Sequence, residues 1–598
     1  MKLNTHLTRK PGRAWHGLGL MTLALAMAVS FTACQSGGSS SEEEPAENAV
    51  PDTEWLTYGN DYGQTRYSPL EQVNTDNVAQ MQLSWEKSLN IEEAQECTPI
   101  MVNKTLYVTT SNGPKYVYAF DAKTGAQKWV HEFNIPGDVA RFACCGVVNR
   151  GVSYSDGKIF VGRLDGALTA LDANTGEELW TTQVVDYKQG SVITSPPTVV
   201  KDKVITGFGG GEYGARGYLT AYDVNTGEQV WRTYNVPGDP DDPAAATWKG
   251  DTYKYGGGVS WFIGSYDEET NTLYYGTSNP SPWNSAVRGP ASSDYGDMTN
   301  LYTAATIAFN PDNGERKWHY QTTPYDAWDY DGVNEKILAD LTIDGQKTPV
   351  LMTADRNGFV FTLNRNTGKL ISADPFVRVN WAEGYDLETG RPIEVPEYRL
   401  KPGSSVDMVY PSFIGGKNWQ PMAYSQETEL LYIPANHLGM DFTMTEGEPE
   451  YQRGYFYLGT EWEMESDPDL NGNMGEIIAF DPVKGEKVWG IPQKFALAGG
   501  PIATGGNLVF FGNLEGMFHA ANAKTGEVLW SQETGTGVGA APMTYAVDGK
   551  QYVAIVAGRP TVIPGFIGGE MGEAIVNATP AGGKIMVFAV GEQKTAMK

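Results

Sequence analysis

Apolar and polar positions fall into one recurring pattern along the chain. Its clearest copy is ALDANTGEELW at 170–180. Close copies are AFDAKTGAQKW at 119–129, AYDVNTGEQVW at 221–231 and AFNPDNGERKW at 308–318, and more distant ones are TLNRNTGKLIS at 362–372, AFDPVKGEKVW at 479–489 and AANAKTGEVLW at 520–530. Each copy reads as strand, turn, strand. An apolar pair ends in Asp or Asn, whose side chain bonds nearby backbone, and a Gly follows to supply the positive φ of a tight hairpin. A polar-alternating strand then closes on Trp. A further strand stands upstream of most copies, as in GKIFVGRLDG at 157–166. Each repeat is therefore expected to form three or four antiparallel strands of one sheet.

Most spacings between copies are 41 to 54 residues, and the two longer ones contain an extra strand pair, SYDEETNTLYYGTSN at 265–279 and AYSQETELLYIPAN at 423–436. A four-stranded unit of this size, repeated, is the signature of a propeller blade. Seven copies plus terminal strands predict an all-β chain folded as an eight-bladed β-propeller, each Trp wedged against the neighbouring blade. KIMVFA at 584–589 is expected to pair with an N-terminal strand, closing the ring and hiding two sheet edges. The alternative, a multi-sheet sandwich or solenoid, does not account for the Gly-Trp period.

Composition agrees with one large turn-rich domain: 70 of 598 residues are Gly, about 12% against a usual 7%. The formal charge is −28; the first 33 residues carry four Lys/Arg and no acid, leaving −32 on the rest. That balance disfavours nucleic acid and suits a basic protein partner or a cation. Lys2, Arg9, Lys10 and Arg13 precede the apolar run LGLMTLALAMAVSFTA, which stops at Cys34 and is too short and too well bounded for an ordinary spanning helix. Thr32, Ala33 and Cys34 resemble a bacterial lipobox, with an ordinary signal peptide cut nearby as the alternative. Residues 1–33 are thus expected to be an export signal and 34–52, rich in Ser, Gly, Glu and Pro, a disordered tether. The folded domain is placed at 53–590, with 591–598 a tail. Gln35 after Cys34 fits outer-membrane sorting, so the protein is expected in the periplasm, membrane-bound by its lipid alone.

Several stretches carry candidate chemistry. RFACCGVVNRG at 141–151 holds adjacent Cys144 and Cys145. In an oxidising compartment they close a strained eight-membered ring; two buried free thiols remain the balanced alternative. Cys97 is most simply a buried free thiol. The GFGGG run at 207–211 matches neither a phosphate loop nor a dinucleotide fingerprint, which leaves Glu212 as a carboxylate on an open turn. In WDYDG at 328–332, Asp329 and Asp331 stand two apart and on a strand would share a face. Two such charges repel unless a cation or proton lies between them, although a solvated acidic loop is the ordinary reading of such a pair. No C-x-x-C-H, zinc-type His spacing or G-x-S-x-G is present.

WLTYGNDYGQTRYSPL, CCGVVNRG, GGGVSW, NPSPWN, WDYDG, DRNG and NWQPM occur in this order among the tryptophan repeats. This ordered set resembles the PQQ-dependent quinoprotein alcohol dehydrogenases, the methanol dehydrogenase large subunits especially, over roughly residues 53–590. The resemblance implies PQQ on the propeller axis, between a Cys144–Cys145 disulfide ring and the indole of Trp261. It implies cofactor contacts from Arg150, Thr194, Arg356 and Asn418, glycines Gly209, Gly210 and Gly211 alongside, and Glu96 at the rim. It implies metal ligands Glu212, Asn279 and Asp329, with Asp329 also the catalytic base.

Asp331 departs from the calcium-type members, which resemble this stretch but have a small uncharged residue there; lanthanide-dependent members have the second Asp. A trivalent ion is a hard acid that favours oxygen and extra negative charge, and Gly211 fits a roomier pocket, so a lanthanide is preferred over calcium. The implied reaction is oxidation of methanol or another small primary alcohol. Hydride goes to the quinone, the metal acts as a Lewis acid, and electrons leave to a periplasmic cytochrome c. Ala498, where the family often has Trp, is expected to enlarge the pocket, and the long insert at 437–475 to cap its mouth differently. The oligomeric state stays open, a homodimer included. Rival readings are a calcium-dependent quinoprotein, a related sugar or polyol oxidase, and a non-enzymatic propeller lipoprotein scaffold of outer-membrane assembly. That scaffold would have no use for Cys144–Cys145, Trp261, Glu212, Asn279 or the Asp329–Asp331 pair.

Overall fold

The structure, a computed structural model, describes residues 50–591. The expected signal peptide, the Cys34 lipid site, the tether up to residue 49 and the tail from 592 lie outside the described residues. The chain is held against the folded body from Val50, three residues before the expected start. Val50 N donates to Gly549 O (3.3 Å), and Asp548 N donates to the Asp52 carboxylate (2.7 Å).

The described residues form eight sheets of four or more strands, with one three-stranded and one two-stranded sheet besides. In sequence order, five sheets are simple four-stranded meanders, and a sixth, within 502–533, has Tyr67–Ser68 added in parallel at its edge. The first of these is Ile100–Val102, Thr105–Thr109, Tyr116–Asp121 and Gln127–Glu132. The inner strands are nearly continuous apolar runs, buried on both faces, as in Thr105–Thr109. The outermost strand is mostly exposed, as in Gln127–Glu132, where Trp129 points inward between exposed Lys128 and Val130. The extra strand pairs expected in the two long spacings are present as Ser265–Asp267 with Thr272–Gly276 and Ala423–Ser425 with Leu430–Asn436. Each belongs to a four-stranded sheet of its own.

Adjacent sheets are joined by one repeated contact. The indole N–H of Trp129 donates to Ala173 O (3.0 Å), that of Trp180 to Val224 O (3.2 Å) and that of Trp231 to Pro311 O (2.9 Å). The ring covers the turn glycine of the next repeat. A Cβ on Gly176 (φ +75°) would stand 2.6 Å from the Trp129 ring. Trp85, Trp318 and Trp489 lie on Gly125, Gly368 and Gly526 in the same way. Where the repeat ends in Ser rather than Trp, Asp374 takes the place over Gly485. Trp530 reaches back to Met81 O (3.1 Å), so the series of contacts returns to its start and the sheets form a closed ring. A register shift recurs in the outer strand pair of all seven repeats, for example between Ala119 and Phe120 opposite Trp129. Such a bulge re-aims a side chain, and here it stands beside the Trp. Asn522, at the turn position where four of the seven repeats have Asp, accepts from Lys524 N and Thr525 N as Asp172 does from Asn174 N and Thr175 N.

The ring is closed by a strand out of sequence order. Gly583–Val590 inserts between Met81–Ser88 and Lys550–Gly558, antiparallel to both, as the apolar KIMVFA run predicts. Antiparallel meandering also fixes where function can sit. The T-G hairpins join the third and fourth strands and lie at one end of every sheet. The connections from second to third strand, and from one sheet to the next, lie at the other end.

Candidate functional site

A cavity with about 900 Å³ of empty space, its mouth included, opens at that other end. Its walls come from the connections of successive sheets: 143–150, 190–194, 209–212, Trp261, Asp329, Arg356 and 413–419. Residues far apart in sequence converge here because each occupies the same topological position in its own sheet.

Cys144 and Cys145 are joined as a disulfide and form one wall. Trp261 lines the same cavity, so two flat surfaces face one space. Cys97 is free and buried, and burial pushes its thiol up to about 11. Arg150 Nη1 donates to Thr194 Oγ1 (2.8 Å), and its guanidinium lies 5.5 Å from the Trp261 ring and 5.3 Å from the Trp419 ring. Glu96 is not at the rim. It is buried behind Arg150, paired to Nη2 at 2.8 Å, and does not reach the cavity wall. A carboxylate there neutralises an arginine that otherwise has little water.

The acidic pair is not on a strand. Residues 322–336 run as an irregular connection, and Asp329 has φ +65°, a conformation a non-Gly residue holds only when its surroundings impose it. Asp326 imposes part of it: its carboxyl accepts from Trp328 N and Tyr330 N, both at 3.0 Å. Asp329 and Asp331 still converge, because Arg356 bonds both, Nη1 to Asp329 Oδ2 (2.6 Å) and Nη2 to Asp331 Oδ2 (2.9 Å). Asp331 Oδ2 also accepts from the Trp261 indole (2.8 Å) and Oδ1 from Asn279 N (2.5 Å). Asp331, fully buried, thus ties the flat face, the Asn279 segment and Arg356 together without lining the cavity itself.

The electrostatics follow from burial. It raises the Asp329 carboxyl well above the usual carboxylate range; Arg356 opposes the shift, and Asp331 and Glu212 add to it. Burial and then Asp331 push Glu212 up to about 7. Burial works against the charge on Arg356, but Asp331, Asp329 and Glu212 outweigh it and hold its pKa above the ordinary value.

Several oxygens are left over. Asn279 Oδ1 and Asp329 Oδ1 are buried and accept no hydrogen bond, and the Glu212 carboxyl faces the cavity. At Gly211 an added Cβ would stand 3.0 Å from Ser278 Oγ and 3.1 Å from Asn279 Oδ1, so a side chain there would press the Glu212 turn away from Asn279 by a few tenths of an ångström. Unpaired buried oxygens beside two shared carboxylates fit a hard cation. Among the described residues no three Asp, Glu, His or Cys side chains converge on one point. A cation at this place therefore shares its carboxylates with Arg356 and needs the Asn279 amide oxygen.

The mouth is apolar. Trp283 and Trp462 pack on Phe413 (ring centroids 5.5 and 4.7 Å), and Phe566 closes on it at 5.4 Å. The insert at 437–475 does reach the mouth, through Phe456, Leu458 and Trp462. Tyr457 N donates to Glu212 O (2.7 Å), so the same insert holds the Glu212 turn. Ala498 is buried in the apolar cluster with Trp419 and Phe413 and is absent from the wall. Phe566 and the Asp326 loop clamp carry no sequence signature, since each acts through a neighbour rather than through spacing.

Residues 55–374 and 490–553 match the profile of the family described as "PQQ: Glucose/ethanol/alcohol dehydrogenase, beta-propeller domain". The chain is 41% identical to a lanthanide-dependent methanol dehydrogenase of Methylacidiphilum fumariolicum (strain SolV), over 92% of this chain and 93% of the relative. It is also 41% identical to the quinohemoprotein alcohol dehydrogenase ADH IIB of Pseudomonas putida, over 90% of this chain and 77% of that one. Among solved structures a europium-containing methanol dehydrogenase superposes with a TM-score of 0.85 at 40% identity, covering 90% of this chain and 98% of that one.

Proposed function

The chain belongs to the PQQ β-propeller family of glucose, ethanol and alcohol dehydrogenases, and from that membership we propose that it is a PQQ-dependent alcohol dehydrogenase oxidising methanol or another small primary alcohol to the aldehyde. The observation that carries the reading is the convergence of Asp329, Arg356 and Glu212 on the cavity that Cys144–Cys145 and Trp261 flank. When bound, PQQ supplies a quinone that accepts hydride from the alcohol carbon, and a metal ion supplies a Lewis acid.

The chain's own groups do the rest. The disulfide and the Trp261 indole offer flat faces to an aromatic ring, and Arg150, Thr194 and Asn418 offer donors to its oxygens. Asp329 takes the hydroxyl proton, for which it must be ionised. Arg356, bonded to Asp329, favours that ionised form. The apolar ring cluster at the mouth excludes water from the buried carboxylates. The ring of sheets and its tryptophan contacts support eight blades with tryptophan docking.

For the metal we favour a lanthanide held by Glu212, Asn279, Asp329 and Asp331. Three carboxylates within one buried site oppose each other, and a trivalent ion relieves this more fully than a divalent one. Calcium is the second reading, and one observation favours it: Asp331 Oδ2 already has two donors and Oδ1 one, which leaves Glu212, Asn279 and Asp329 as the oxygens with most capacity. We further propose export to the periplasm, a lipid on Cys34, and a cytochrome c as electron acceptor; the acidic chain, −28 overall, would steer a basic carrier.

The test is dye-linked oxidation of methanol and ethanol by PQQ-loaded protein with La³⁺ or Ca²⁺ as the only added metal. Activity with La³⁺, lost in Asp331→Ala, supports the lanthanide reading. Activity with Ca²⁺ alone removes it and keeps the enzyme class. No activity and no PQQ binding with either ion overturns the function.

A further inference from the structure

Arg288 ends the short helix Ser285–Arg288 and is 0% exposed. Among the described residues no acidic side chain forms an ion pair with it. Its donors go elsewhere: Nε to Pro282 O (2.7 Å), Nη2 to Asp326 O (2.6 Å) and Nη1 to Asn300 Oδ1. These acceptors are informative by position. Pro282 follows Asn279 by three residues, and Asp326 precedes Asp329 by three. Asn279 and Asp329 each carry a buried side-chain oxygen that accepts no hydrogen bond.

We propose that Arg288 is a positioning residue for the metal site, a rigid spacer that fixes the Asn279 segment against the Asp326–Asp331 loop. The inference rests on the metal reading above. Within the site the two segments meet directly, Asn279 N on Asp331 Oδ1 (2.5 Å). Gly332 N donates to Thr277 O (3.0 Å) beside that contact, and behind the site Arg288 joins the same segments again, from Pro282 to Asp326. Joints at two places fix an angle where joints at one place leave a hinge. The Asp326 end of the spacer is itself stiff, since the Asp326 carboxyl folds the loop through Trp328 N and Tyr330 N. A planar guanidinium with all its reach used on two backbone carbonyls and an amide sets a distance that a lysine ammonium, a single point on a flexible stem, does not. The charge also serves the site, since a buried cation beside Asp326 offsets part of a strongly acidic neighbourhood. Arg356 bonds the Asp329 and Asp331 carboxylates and faces the cavity; Arg288 bonds neither and does not reach the cavity.

The test is equilibrium dialysis of the PQQ-loaded full chain against La³⁺ and, separately, Ca²⁺, with bound metal counted by mass spectrometry. The parent is compared with Arg288→Gln, Arg288→Lys and Asn300→Ala, the last releasing only one arm of the spacer. Loss of such an outer partner weakens metal binding by about 10–100-fold. Arg288→Gln is expected to show that loss at unchanged PQQ content and circular dichroism, Arg288→Lys to recover part of it, and Asn300→Ala to lose less. A folded Arg288→Gln that holds the ion as tightly as the parent overturns the proposal. If that variant does not fold, a folded Asn300→Ala with parental affinity does so. Parallel loss of PQQ and metal marks a general structural role and also overturns it. A parent that holds neither ion sinks the metal reading itself, which the parent's own dialysis distinguishes from failure of the spacer.

Discussion

Asp329 faces opposed requirements: it must be ionised to take a proton, yet burial and its carboxylate neighbours favour its neutral form. Arg356 is the one group on the wall that counters them, and a bound cation would do so further. The same conflict predicts a pH dependence. Glu212 sits at about 7 in the folded chain, against about 4.5 for an unperturbed Glu. Between those values the folded state binds more protons than the unfolded one, so this group makes stability fall as pH rises. In metal-stripped protein, chemical denaturation from pH 4.5 to 7.5 should show the parent losing stability relative to Glu212→Gln as pH rises, and La³⁺ or Ca²⁺ should abolish the trend. A difference flat across that range would contradict it. Residues of this kind were legible where the motif itself carries them, as with Cys144, Cys145, Trp261 and Asp331. Their arrangement was not. The Asp329–Asp331 pair converges through Arg356 on an irregular loop rather than through a strand face, and Glu96 is hidden behind Arg150. Arg288 and Asp326 left no trace in spacing, because a residue that works through backbone carbonyls needs no particular partner in the sequence.

The T-G-x-x-x-W element was readable as a hairpin because its turn chemistry is local. Its second role, receiving the Trp of the preceding sheet, also belongs to the turn glycine. At Gly176 a Cβ would meet both a left-handed backbone and the Trp129 ring at 2.6 Å. Gly176→Ala should destabilise the fold by roughly 2–4 kcal/mol, from the αL penalty plus overpacking, seen as a lower denaturation midpoint. The cavity lies at the far end of the sheets, so PQQ binding at low temperature should persist; loss of cofactor with unchanged stability would refute this separation of ends. The bulge before each Trp was not legible, since one extra residue in a strand leaves the polar alternation almost intact. Nor was the small sheet of Ser405–Val409, Leu438–Met444 and Thr460–Ser466, which belongs to no repeat and has its last two strands in the insert.

For the whole molecule, the repeat period and the KIMVFA run together made the ring and its closure legible. The convergence of distant connections on one cavity follows from strand alternation once the ring is known. Ring closure predicts that a chain ending at 582, lacking Gly583–Val590, leaves Met81–Ser88 without a partner and Lys550–Gly558 paired on one side alone, to Met543–Val547. Such a chain should fail to give soluble protein that binds PQQ; a soluble, PQQ-binding product would show that the ring closes without its last strand.

That closing strand also sets a clock. Met81 pairs with Val590, about 500 residues later in the chain. At about 5–20 residues per second of synthesis, the first strand waits on the order of 25–100 s for the one that completes its sheet. Through that interval a nascent chain carries an unpaired edge and an unfinished cavity. Premature termination anywhere upstream therefore yields no partial enzyme, and whatever keeps the early strands from aggregating must act for longer than the chain takes to collapse.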